Sequence, residues 1–143
     1  MAIALLASAA LAPTAHATHD ASRPDRSVAV TAWNTFASKL VAANLAPGPQ
    51  THALAITQIA VHDALNAIEP RYAPYEFAGS APGASAPAAV AAAAHDTLDA
   101  LVPQAAASVD AEYDAALARI PAGAAKDAGI ATGHAAAAAI LAR

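Results

Sequence analysis

Two segments of this chain place a histidine directly before an aspartate inside an apolar pattern. Residues 60–70 read Ala-Val-His-Asp-Ala-Leu-Asn-Ala-Ile-Glu-Pro, and residues 93–103 read Ala-Ala-His-Asp-Thr-Leu-Asp-Ala-Leu-Val-Pro. Imidazole and carboxylate together suit a divalent cation, so His62, Asp63, His95 and Asp96 are the first candidates for chemistry. Consecutive residues on a helix point about 100° apart, however, and one such pair does not readily aim both groups at one ion. Asp127 is the one further carboxylate that could complete a set, and it stands among small residues on a surface-like stretch. The plainer reading makes each histidine a partly buried group, hydrogen-bonded across a helix pair, with its aspartate at the solvent edge.

Three other features carry a chemical suggestion. Thr132-Gly133-His134 has the form of an anion-binding Ser-Gly-His element, in which backbone N–H groups would face a phosphate. Here the trio falls inside an Ala-rich helix whose amides are committed to helical hydrogen bonds, so it is read as a decoy. Gly129, Gly133 and Ala137 recur every four residues, which marks close helix–helix packing rather than catalysis. Lys39 and Lys126 are the only lysines, and neither has an arginine seven residues on. No strand–turn–helix elbow is present for a nucleophilic serine.

The elements that would position these groups are helical. Val30, Trp33, Phe36, Ala37, Leu40 and Val41 recur at helical steps and predict an amphipathic helix over about 28–44, with Ser27 as its N-cap and Trp33 in the core. Pro47-Gly48-Pro49 breaks the chain, and a second helix runs from about Thr51 to Ile68 with Leu54, Ile56, Ile59, Ala60 and Leu65 inward. Residues 69–85 read as a long Pro/Gly/Ser loop. Ser85 and Pro87 mark the start of a third helix reaching Leu101. A fourth helix spans about 105–120, with Val109, Tyr113, Leu117 and Ile120 on one stripe. A fifth runs from about Ala124 to the end, with Ile130, Ala137, Ile140 and Leu141 inward. Each proline after a His-Asp segment stops its helix. The offset of the two segments would suit a helical repeat, but no third copy appears near residue 128. The predicted architecture is all-α, a bundle of about five helices with short Pro/Gly connections, forming part of a larger helical domain.

Composition adds limits. The chain has 143 residues, 50 of them alanine, and 4% aromatic residues. Alanine favours helix and close packing but buries little area, which suggests that the chain leans on more polypeptide or on a partner. With seven basic residues and a net charge of −4, a nucleic-acid surface is not expected. There is no cysteine, hence no disulfide and no thiolate metal site. Residues 2–12 form an apolar run too short to span a membrane, followed by Ala15-His16-Ala17. This predicts a secretory signal peptide over residues 1–17, a flexible lead-in over 18–27, a helical region over 28–143, a secreted or periplasmic location and no membrane span after cleavage.

An ordered series of segments then becomes recognisable: Trp33-Asn34; His62-Asp63-Ala64-Leu65-Asn66-Ala67-Ile68 leading into Pro70-Arg71-Tyr72-Ala73-Pro74-Tyr75; Ala93-Ala94-His95 with Leu98, Leu101 and Pro103; Ile120-Pro121-Ala122-Gly123-Ala124-Ala125-Lys126; and Gly129 to Gly133 before the last Ala-rich stretch. Over about residues 28–143 this resembles the N-terminal helical region of bacterial vanadium-dependent haloperoxidase-like proteins, in the type 2 phosphatidic acid phosphatase superfamily. The resemblance implies an exported helical enzyme that binds vanadate or a phosphoryl group. It implies a cradle of one lysine, two arginines and a Ser-Gly-His segment, with a further histidine on vanadium or attacking phosphorus. The lysine and first arginine come as Lys-x6-Arg-Pro. None of these motifs is in this sequence, so no catalytic, cofactor-binding or metal residue is carried over. Vanadate belongs to the complete family member, and the expected partner is a C-terminal catalytic half, a second subunit or a second copy of the chain. Two alternatives stand beside this. His62 followed about 33 residues on by His95-Asp96 also resembles the start of an HD-type metal-dependent phosphohydrolase. The chain would otherwise be a non-catalytic helical interaction module.

Overall fold

A computed structural model describes residues 22–143, with side chains from Arg26 onward. Five α-helices account for most of them: α1 Ser22–Asn44, α2 Pro47–Ile68, α3 Ala86–Leu101, α4 Ala106–Ala118 and α5 Ala124–Leu141, with a 3₁₀ turn at Pro103–Ala105. There is no strand among the described residues. The all-α bundle expected from the periodicity is the fold. The signal-peptide reading of residues 1–17 lies outside the described residues, as does the first part of the 18–27 lead-in. No helix of the described residues is long and apolar enough to cross a membrane.

The helix starts differ from expectation in instructive ways. α1 begins at Ser22, so the residues just before Val28 are helix rather than lead-in, and Ser27 is not an N-cap. Its backbone carbonyl accepts from the Thr31 hydroxyl one turn on, as in a helix interior. α2 begins at Pro47 rather than Thr51. Pro47 and Pro49 fall in the first turn, where a missing N–H leaves no helical hydrogen bond unmade. The Ser85 prediction holds: its hydroxyl accepts from the Ala88 amide, and Pro87 follows in the first turn. Gly123 precedes α5 at φ 143°, a conformation open to glycine and strained for other residues.

α3 is the centre of the bundle. Every residue from Ala88 to Ala94 is buried, and α1, α2, α4 and α5 all pack on it. A helix apolar on all sides belongs in the interior, and alanines let four neighbours approach at once. Trp33 is 4% exposed, meets the Phe36 ring edge-on at 5.6 Å and fills the α1 side of the core. Of the expected inward residues of α2, Ala60 is fully buried, and the rest of the inward face differs from expectation. The whole face consists of Ala53, Thr57, Ala60, Val61, Asp63, Ala64, Asn66 and Ala67, while Leu54, Ile56, Ile59 and Leu65 flank it half-buried. Small side chains face α3 because the two backbones are close. Between them, Thr97 donates its hydroxyl to Thr57 at 3.1 Å. Leu141 points outward, contrary to expectation, because α5 ends there and no element covers it.

The tightest contact joins α3 and α5, which run in the same direction. A Cβ added at Gly129 would meet the Ser85 carbonyl oxygen and stand 2.9 Å from the Ala88 Cβ. One at Gly133 would meet the Ala89 carbonyl oxygen and stand 2.6 Å from the Ala92 Cβ. The Ser85 amide also donates to the Ala125 carbonyl at 2.8 Å. The stripe of small residues is therefore a packing device, as its spacing suggests.

Gly133→Ala should destabilise the chain by about 1–3 kcal/mol in urea denaturation, because backbone rather than a flexible side chain stands in the way. Gly48→Ala, with nothing within 4 Å of its added Cβ, should leave stability unchanged or raise it by up to about 0.5 kcal/mol.

Candidate functional site

The two His-Asp segments come to different ends. Asp63 sits on α2, five residues before its last residue Ile68, and is 1% exposed. Its carboxylate accepts from three consecutive backbone amides of the following loop, Tyr75 at 2.8 Å, Glu76 at 2.8 Å and Phe77 at 2.9 Å. One turn on, the Asn66 side-chain oxygen accepts from the amides of Arg71 at 2.8 Å and Tyr72 at 3.0 Å, while its nitrogen donates to the Tyr72 carbonyl. The Ala67 carbonyl takes the Ala81 amide. The chain between α2 and α3 has no secondary structure of its own, so its amides need partners, and α2 supplies them. His62 lies beside this clamp, 3.3 Å from the Ala73 carbonyl through Nε2 and flanked by Tyr72 and Tyr75. The expectation of an aspartate at the solvent edge is thus reversed here: Asp63 is the buried partner and His62 the half-exposed one.

Beside His62 lies a small cavity of about 210 Å³ lined by Arg26, Asn66, Glu69, Arg71 and Tyr72. Two arginines suggest an anion, but Glu69 already occupies them. Arg71 donates to Glu69, and so does Arg26 from α1 at 2.7 Å. These bonds, that from Arg71 first, bring the Glu69 carboxyl down to about 2. Being depressed, it holds this tie in full above the ordinary carboxylate range and gives it up only as pH falls through about 2.

The second segment opens onto a polar chain across three helices. His95 Nδ1 lies 2.8 Å from Asp96 Oδ1, and its Nε2 lies 2.9 Å from Asp110 Oδ1 on α4. Asp96 Oδ2 accepts from His134 Nδ1 on α5 at 2.6 Å. The Tyr113 ring lies over His95 at 4.3 Å between centroids, and its far side meets His134. Consecutive residues about 100° apart were not expected to aim at one ion; His95 and Asp96 bond to each other and otherwise turn to different helices, His95 to α4 and Asp96 to α5. Asp110, Tyr113 and His134 could not be assigned to this cluster from sequence. They come from two other helices, and only Tyr113 stood on a predicted inward stripe.

Both ring nitrogens of His95 face carboxylates. A carboxylate only accepts, so both bonds require two N–H groups, which only the imidazolium has. Burial opposes that charge, but the hydrogen bonds to Asp96 and Asp110, and their negative charge, outweigh it and raise the His95 pKa above its ordinary value. Burial, with the charges of Asp96 and Asp114, raises Tyr113 as well.

The remaining candidates have separate positions. His62 faces the loop after α2, while His95 and Asp96 face α4 and α5, so the metal trio His62, His95 and Asp96 share no partner. Among the described residues no group of three or more His, Asp and Glu side chains is placed to hold a metal ion. Asp127 is exposed in the first turn of α5. Thr132 returns its hydroxyl to the Ala128 carbonyl within the helix, and Gly133 lies against α3. Lys126 donates to the carbonyls of Leu117 at 2.7 Å and Ile120 at 3.4 Å, closing the C-terminal end of α4. Lys39 is exposed. A second, larger hollow of about 390 Å³ lies between α1 and α4 over Trp33, with Val28, Ala32, Pro87, Ala116 and Ile120 on its walls. No protein-family model, curated protein or solved structure matches this chain.

Asp63→Asn should cost about 2–4 kcal/mol, since an amide nitrogen would face backbone donors in a dry site. Hydrogen exchange should show the loss of protection concentrated at the amides of residues 75–77, ahead of α3.

Proposed function

We propose that this chain is the N-terminal helical part of a vanadium-dependent haloperoxidase-like or acid-phosphatase-like protein of the type 2 phosphatidic acid phosphatase superfamily, and that it is exported. Its role in that reading is scaffolding. It binds neither vanadate nor phosphate by itself.

One observation carries the scaffolding role. One segment of the series that carries the resemblance, His62 to Tyr75, works as a clamp: Asp63 and Asn66 hold five backbone amides of the loop after α2. Asp63 and Asn66 are engaged by this backbone, and Glu69 by the arginines Arg71 and Arg26. The distribution of cations supports the same reading. A trigonal-bipyramidal oxyanion needs several positive groups converging on one cavity. Here Arg26 and Arg71 close on Glu69, Arg143 pairs with Glu76 at 3.2 Å, and Lys126 caps α4.

Vanadate titration of the purified chain by calorimetry should show no saturable binding; tight saturable uptake would overturn the scaffolding role. The family reading is tested separately by sequencing the DNA directly downstream of the Arg143 codon. An open frame continuing, in phase or after a one-base slip, into Lys-x6-Arg-Pro and Ser-Gly-His supports it. A stop codon followed by unrelated sequence overturns it. Export predicts that protein recovered outside the cytoplasm begins at Thr18.

A further inference from the structure

We propose that His95 is a proton-operated latch on α4: as imidazolium it docks this helix against α3, and on losing its proton it releases α4 and widens the apolar hollow over Trp33.

The geometry carries this in three steps. α4 is the least anchored helix. Val109 is its one fully buried residue, and its backbone comes close only to α3 and the short turn before it. It stands away from α1, and the hollow of about 390 Å³ fills that gap, walled on the α4 side by Glu112, Ala116 and Arg119. Second, the polar attachment of the first half of α4 runs through one ring. Asp110 bonds to His95 Nε2, and Tyr113 lies one turn on over the same imidazole. Third, that ring satisfies both carboxylates only when doubly protonated. Neutral His95 must turn a lone pair toward Asp110 or Asp96. Asp96 is the more firmly held, because His134 fixes its other oxygen. Neutral His95 therefore keeps Asp96 and lets go of Asp110, and with it α4.

The groups at the ring are Asp96 on α3, Asp110 and Tyr113 on α4 and, through the other oxygen of Asp96, His134 on α5; the charge of Asp114 acts on Tyr113. Burial opposes the charge on the ring, and Asp96 and Asp110 hold it in its charged form. The direction of the switch comes from the sign of the shift. A raised histidine pKa gives docking that is complete below the ordinary histidine range and is lost as pH rises through the raised value.

Hydrogen exchange of the full chain, corrected for the intrinsic pH dependence of amide exchange, reads this directly. Protection of Ala106–Ala118 should fall roughly fivefold from pH 5.5 to 8.5, relative to the α3 amides as internal reference. His95→Gln should make α4 protection independent of pH and low. Asp110→Asn is the second variant, since this side chain is 62% exposed and its loss leaves the core intact. At pH 5.5 it should show the α4 protection that the unaltered chain has at pH 8.5. Equal protection of α4 at both pH values would overturn the proposal. So would a fall shared equally with α3, or an Asp110→Asn variant that keeps the full pH response.

Discussion

The closest approach in this molecule is between two backbones. Gly129 and Gly133 of α5 rest on the carbonyl groups of Ser85, the N-cap of α3, and Ala89 within it. Alanine on α3 and glycine on α5 are both needed for that distance. It sets more than packing. Because α3 and α5 run in parallel at this spacing, His134 reaches Asp96, whose other oxygen fixes His95. His95 in turn meets Asp110 and Tyr113 on α4. A larger residue at Gly133 would strain the core and also draw His134 away from its carboxylate. Register along the α3–α5 seam and the geometry of the polar chain are one constraint.

The two His-Asp segments show how little a local pattern decides once the chain folds. Six of their eleven residues are identical, and both lie near a helix end. After α2 the chain enters a long loop with many free amides, and Asp63 turns inward to collect three of them. After α3 the chain passes through a single 3₁₀ turn into α4, so there is no loop to hold. Asp96 instead meets a side chain from α5, and His95 one from α4. Each aspartate turns to the nearest unmatched donors, and the element after its helix decides which donors those are.

The same contrast separates the legible parts of the fold from the rest. The helices, their proline stops, the Ser85 cap and the Gly129/Gly133 seam all come from local pattern and were legible. The inward face of α2 was legible only at Ala60, because hydrophobic periodicity favours Leu54 and Ile59 while close contact with α3 favours Ala53, Ala64 and Ala67. The start of α1 before Ser27 was not legible either, because a polar stretch reads as a lead-in until its tie to a distant partner, Arg26 to Glu69, is known. The loop after α2 was legible but its clamp was not: local pattern puts Asp63 at the solvent edge, and which residue of the His-Asp pair faces inward depends on helix phase. The cluster around His95 was hidden, since Asp110 and His134 are set beside it only by the packing of α4 and α5 on α3.

An alanine-rich bundle also changes the weight of its polar groups. Each buried alanine contributes little area, so the hydrophobic effect holds such helices together without strongly fixing their order or tilt. Here polar ties supply the fixing: Thr97 to Thr57 between α3 and α2, Arg26 to Glu69 between α1 and α2, Asp96 to His134 between α3 and α5. The threonine pair carries no ionisable group, and Glu69 gives up its charge only far into acid. The attachment of α4 through His95 is different in kind. It joins the helix with one fully buried residue to a histidine that must carry both ring protons to meet its two carboxylates. Adding apolar area to α4 would therefore weaken its response to protons, because the imidazolium would no longer decide whether the helix stays docked.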